Sequence, residues 1–157
     1  MQLLLITSLI ASVIASLFSP PEATWEWPTS GSHLIVRDFD APQTPWGPGH
    51  RGVDIAASGS TTLRAPVSGT LRFAGQVVSR GVVTIETREG FLVSMEPVTT
   101  TLEPGSSVRA GQSIGIIESG HCPTRCVHLG LRIDGNYVSP LAFLGHERRA
   151  VLMPWGD

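Results

Sequence analysis

The stretch Gly49-His50-Arg51-Gly52-Val53-Asp54-Ile55-Ala56-Ala57 sets an imidazole and a carboxylate four residues apart, with a glycine between them. Both side chains are ones that zinc accepts, and a glycine there lets the chain turn so that the two aim at one cation. A capping Asp beside a surface His in a turn fits the same residues. Further on, Gly120-His121-Cys122-Pro123-Thr124-Arg125-Cys126 leads into Val127-His128, bringing two thiols and two imidazoles into one short segment. In an oxidising compartment Cys122 and Cys126 are expected to pair as a disulfide that pins a tight loop. The rival is a metal cluster in which the thiolates and the flanking imidazoles act as ligands. The disulfide is preferred here because the N-terminus reads as an export signal. His33, His121 and His146 stand in no ligand pattern of their own and read as surface or loop histidines.

The elements that have to position these groups look like those of a β protein. Short apolar or alternating runs (Leu34-Ile35-Val36, Thr70-Leu71-Arg72-Phe73, Val82-Val83-Thr84-Ile85, Phe91-Leu92-Val93, Ile114-Gly115-Ile116-Ile117) are separated by Gly and Pro signals, and no long helical periodicity appears. A spacing of roughly ten residues between runs predicts an all-β sandwich or flattened barrel. A short helix is expected at Pro140-Leu141-Ala142-Phe143-Leu144, and the tail from His146 to Asp157 gives no signal.

The chain has 157 residues, 41% of them hydrophobic, enough for one sizeable core and too few for two ordinary domains. All 11 basic residues are Arg, they are scattered, and the formal net charge is −2, so no basic stripe is available for nucleic acid. Met1 to Phe18 carries no charge and is almost wholly apolar or small until Pro20-Pro21 stops the run. Its apolar stretch suits a secretory peptide with cleavage after Val13-Ile14-Ala15, and left uncleaved it would be a membrane anchor only just short of the ~20 residues that span a bilayer. The organisation expected is a signal peptide or anchor over residues 1–19, a linker over 20–32, a single domain over 33–145 and a tail over 146–157.

Two segments share one design: Ala65-Pro66-Val67-Ser68-Gly69-Thr70-Leu71, and some 40 residues later Ser107-Val108-Arg109-Ala110-Gly111-Gln112-Ser113-Ile114-Gly115. Both place a Gly turn between strands. They resemble the paired turns of the duplicated hybrid motif, an architecture shared by biotinyl and lipoyl carriers, sugar-phosphotransferase carriers and the lysostaphin/LytM-type zinc endopeptidases. The biotinyl and lipoyl carriers attach their cofactor to a Lys, and this chain has none. A phosphocarrier works in the cytosol, against the apolar N-terminus.

The remaining family has positive support. His50-x-Gly52-x-Asp54, the two Gly-turn segments, Val127-His128-Leu129-Gly130-Leu131-Arg132-Ile133 and Tyr137-Val138-Ser139-Pro140-Leu141 occur in the order of the lysostaphin/LytM-type peptidoglycan endopeptidases, covering about residues 33 to 145. The resemblance implies that His50 and Asp54 are zinc ligands and that His128, matched to the first His of a His-x-His strand, is catalytic. On that alignment Gly130 stands where the third ligand belongs, and Met95-Glu96-Pro97-Val98 replaces a Tyr-x-His-Leu pattern. Zinc binding is then expected to be weak or absent, unless His128 turns inward to become the third ligand and is lost as a base. Glu96 is a replacement base or an exposed loop carboxylate, and Trp46, close before His50, is a candidate for a groove shared with Glu96 and Gly130. Trp25 and Trp27 line the same groove or pack at the rim. The function implied is an exported, catalytically impaired domain that binds peptidoglycan or its peptide fragments as a binding or regulatory module. The alternative is an active zinc metalloendopeptidase that cuts peptide cross-bridges.

Overall fold

The computed structural model describes residues 25–44 and 46–145. The signal or anchor segment, the first part of the expected linker, the C-terminal tail and His146 lie outside the described residues.

Eleven strands and a 3-10 turn make up the described chain: β1 (Ile35–Arg37), β2 (Gly52–Ala56), β3 (Thr62–Arg64), β4 (Gly69–Val77), β5 (Arg80–Glu86), β6 (Leu92–Glu96), β7 (Val98–Thr99), β8 (Ser107–Val108), β9 (Ser113–Ile117), β10 (Cys126–Ile133), β11 (Asn136–Val138) and η1 (Pro140–Ala142). Where a helix was expected at residues 140–144, Pro140 at the first turn and the Ser139 cap, whose side chain accepts from Leu141 N–H, start only one 3-10 turn. An antiparallel sheet in the order β1-β2-β10-β6-β5-β4-β8, with β11 added to β10, faces a second sheet in the order β3-β9-β7. The fold is all-β and open, so of the two expected architectures the sandwich, and not a closed barrel, is the one formed.

Period-2 alternation explains how three central strands serve two purposes. Val53 and Ile55 of β2, Val127, Leu129 and Leu131 of β10, and Val93 and Met95 of β6 point to one side and are essentially fully buried in the core. Gly52 and Asp54, Cys126, His128 and Gly130, and Ser94 and Glu96 alternate with them and so point to the other side. Truncating one of the buried residues, for instance Leu129→Ala, removes the packing that holds this sheet and is expected to cost ~2–5 kcal/mol.

The two Gly-turn segments use their glycines differently. Gly111 has a φ of +77°, which a side chain resists. Gly69 is needed for close approach, because a Cβ there would run into the carbonyl oxygen of Glu86 on the neighbouring β5. Ahead of β1, Trp25 is buried at 8% exposure against Phe143, and backbone bonds from Glu26 N to Pro66 O (2.8 Å) and Arg64 N to Pro28 O (3.0 Å) fix this stretch to the sandwich. Trp27 stacks on His33, with ring centroids 4.3 Å apart.

Candidate metal centre

Strand register places the central groups. His128 on β10 pairs with Asp54 on β2 and, on its other side, with Glu96 on β6; the next pairs are Gly130 with Gly52 and Gly130 with Ser94. Residues directly opposite in an antiparallel ladder share a face, so Asp54, His128 and Glu96 form a row across three strands. His50 enters from just before β2. Its backbone is bridged to Asp40 through His50 N to Asp40 O (2.8 Å) and Asp40 N to His50 O (3.0 Å), and its ring Nδ1 lies 2.7 Å from the carbonyl oxygen of Asp38. A carbonyl only accepts, so Nδ1 is the donor to it and Nε2 is the ring nitrogen left facing the site.

Three donor atoms meet there. His50 Nε2 is 3.1 Å from Asp54 Oδ1 and 3.1 Å from His128 Nδ1, and His128 Nδ1 is 2.8 Å from Asp54 Oδ1. Linear hydrogen bonds cannot join all three corners of so small a triangle, since an N–H aimed at one corner points away from another. Zinc with bonds of about 2.0–2.1 Å in tetrahedral geometry needs ligand atoms about 3.3 Å apart, close to these edges. A fourth group completes the cluster: His121 Nε2 is 3.0 Å from Asp54 Oδ1, and the ligand atoms of His50, Asp54, His121 and His128 all lie within 4.8 Å of one another. The donor set and its geometry therefore fit a zinc ion.

Burial alone pushes the Asp54 carboxyl up. The hydrogen bond from His128 and the charges of His121, His128 and His50 outweigh it and hold the group below its ordinary 3.8. A carboxylate stabilised in the folded state contributes stability that is fully present above the unfolded pKa and is lost as pH falls through the lower folded value. Acid unfolding of the metal-free chain is therefore expected to begin below about pH 4, and Asp54→Asn is expected to flatten that dependence in a pH series of thermal midpoints.

The remaining sequence candidates fall around this centre. Glu96 pairs with Arg80, its Oε1 3.3 Å from Nη1. Trp46 is 94% exposed on the loop before His50. Gly130 lies on the Nε2 side of His128 and not among the donors. A Cβ there meets only ordinary contacts, Arg51 O at 3.4 Å and His128 Nε2 at 3.8 Å. Of the two arrangements considered, the geometry matches the one in which His128 turns inward, its Nδ1 facing His50 and Asp54. Gly130→His is accordingly expected to change zinc affinity by less than the ~10-fold at the low end of outer-shell effects, measured by competition with a chelator. Cys122 and Cys126 are joined, with Cα atoms 5.9 Å apart.

Sequence reasoning gave His121 a ligand role only in the rival thiolate cluster and otherwise read it as a surface or loop histidine. The available signal was composite: a disulfide to Cys126, two residues before His128 on the same strand face, brings the neighbour of Cys122 to that face.

Fold and site together define a two-sheet β domain carrying a His/Asp cluster that could hold a metal ion. Residues 48–140 match Peptidase family M23. The chain belongs to that family. Over 125 residues it is 38% identical to an uncharacterized protein of Mycobacterium tuberculosis, covering 75% of this chain and 50% of that protein. Over 130 residues it is 30% identical to the murein hydrolase activator NlpD of Escherichia coli, covering 80% of this chain and 32% of that one. The chain thus spans half or less of the length of these relatives. Among solved structures it is similar to the SpoIIQ–SpoIIIAH pore-forming complex (TM-score 0.65, 22% identity, 77% of this chain and 90% of that chain). It is also similar to the catalytic domain of lysostaphin from Staphylococcus simulans (TM-score 0.61, 20% identity, 72% and 92%). At these identities the two structures bear on the fold.

Proposed function

We propose that this chain is an extracytoplasmic, zinc-holding module that binds the peptides of peptidoglycan and hydrolyses them poorly, acting as a binding or regulatory domain. The observation that carries the reading is that all three imidazoles at the centre direct a ring nitrogen at the same oxygen of Asp54. Zinc bound there would polarise a peptide carbonyl and activate water for attack. Hydrolysis also needs a side chain outside the ligand set to move the proton. Among the described residues the other ionisable group in the central row, Glu96, is engaged by Arg80, and Pro97 beside it offers no N–H and no ionisable group. Similarity to a murein hydrolase activator supports both the envelope location and the regulatory role. Trp46 and Tyr137, the latter stacked under the guanidinium groups of Arg51 and Arg132, offer exposed aromatic surface for a peptide or glycan.

A second reading has one observation in its favour. Of the other three donors, His121 hydrogen-bonds with Asp54, through Nε2 at 3.0 Å. Swung aside, it would be an imidazole available to take a proton next to the scissile bond, and the chain would be an active endopeptidase.

Zinc-loaded chain incubated with purified peptidoglycan fragments separates the two. Retention of the chain on the fragments, with new amino termini released far more slowly than the ~1–10³ per second typical of enzymes, is the expected result. Chelator-sensitive release within that range would establish the second reading.

A further inference from the structure

We propose that the Cys122–Cys126 disulfide makes His121 a fourth protein donor to the metal, closing the coordination shell. This rests on the reading of His50, Asp54 and His128 as ligands and adds a role that the other three residues do not supply.

The argument begins with strand phase. Cys126 and His128 are two residues apart on β10 and share a face, so a bond to Cys126 anchors its partner over the metal centre. Cys122 is that partner, and His121 adjoins it. Gly120, at a φ of +111°, lets the chain double back out of the stretch that follows β9. The same segment is otherwise held by Ala57 N to Arg125 O (3.0 Å) and by Arg125 Nη2 to Ser119 Oγ (3.2 Å), both on the flanks of His121. His121 is drawn in until its side chain is only 16% exposed and its Nε2 stands 3.0 Å from Asp54 Oδ1. On its outer side Arg80 Nη1 is 3.5 Å from Nδ1, a long contact, and 3.3 Å from the Glu96 carboxylate, its charge partner. With Nε2 on the cation the ring proton sits on Nδ1, and Arg80 keeps Glu96.

Four protein donors change what the centre does. Zinc sites closed by four protein ligands are structural, whereas catalytic ones keep a position open. Oxidised, this loop therefore favours firm metal retention over chemistry, and freeing it opens one corner.

Metal affinity of the full chain tests this without any measurement of activity. Reductant is avoided, because freed thiolates are themselves zinc ligands; the bond is removed instead by Cys122→Ser with Cys126→Ser. His121→Ala is expected to weaken zinc and cobalt(II) binding by ~10–100-fold, the range of outer-shell losses taken as a lower guide. The paired serine variant is expected to lose most of the same factor, and His121→Ala added to it is expected to cost only the small remainder. The visible spectrum of cobalt(II) in the oxidised chain is expected to ignore added azide, and that of His121→Ala to shift. Thermal midpoints of the metal-free variants show whether the serine pair still folds, and His121→Ala decides the matter if it does not. Unchanged affinity in His121→Ala, or an azide response in the oxidised chain equal to that variant's, would overturn the proposal. His50→Ala run alongside separates the two levels. Loss there without loss in His121→Ala refutes the fourth donor alone, and no loss in His50→Ala refutes the centre itself.

Discussion

His50→Ala is expected to lower zinc affinity by at least ~100-fold, the upper end of what outer-shell changes alone produce, because it removes a donor itself. Its ring is held at both ends: Nδ1 by the carbonyl of Asp38 at 2.7 Å, Nε2 facing Asp54 and His128 at 3.1 Å each. Such a pre-aimed ligand loses little freedom on binding the cation, so its contribution is large. With only 5% of the residue exposed, solvent is poorly placed to substitute for it. Chelator competition on the metal-stripped variant measures the effect. A loss below about 10-fold would mean that the cation is held elsewhere.

Gly52→Ala is expected to damage fold and site together. A Cβ at this position would strike the carbonyl oxygen of Leu129 and come within 2.6 Å of His128 Nε2. One of those obstacles is the backbone of β10, hydrogen-bonded to β2, and the other is the ring proposed as a ligand. Overpacking of this kind costs ~1–3 kcal/mol, and relief by rotating His128 moves Nδ1 away from His50 and Asp54. The outcome expected is a lower unfolding midpoint in denaturant together with at least ~10-fold weaker zinc binding. Wild-type affinity and stability in this variant would show that His128 is not fixed by the β2–β10 contact.

Gly52 also illustrates what the sequence discloses and what it withholds. A glycine between His50 and Asp54 marks the segment as special, and a turn was the natural explanation. Its backbone is ordinary strand, and the requirement is set by a ring 76 residues away in sequence that only the sheet register brings close. The strand runs were legible because alternation and Gly/Pro punctuation are local signals. So was the His50/Asp54 pair, since both belong to one short segment. The role of His128 depended on which way β10 aligns with β2, and a shift of two residues exchanges His128 for Gly130 while leaving the same face exposed. His121 was hidden because the loop that carries it has no periodic pattern. Its place follows from a tertiary crosslink acting together with strand phase. Residues 25–29 read from composition as a linker that packs down as the first edge; Trp25 there is buried in the core, against Phe143.

Zinc content of the exhaustively dialysed, oxidised chain at neutral pH tests the central claim most directly. Donors from His50, Asp54 and His128, with His121 within 4.8 Å of them all, predict one zinc per chain, lost on substitution of His50. Well under one zinc per chain in the unaltered protein would contradict it.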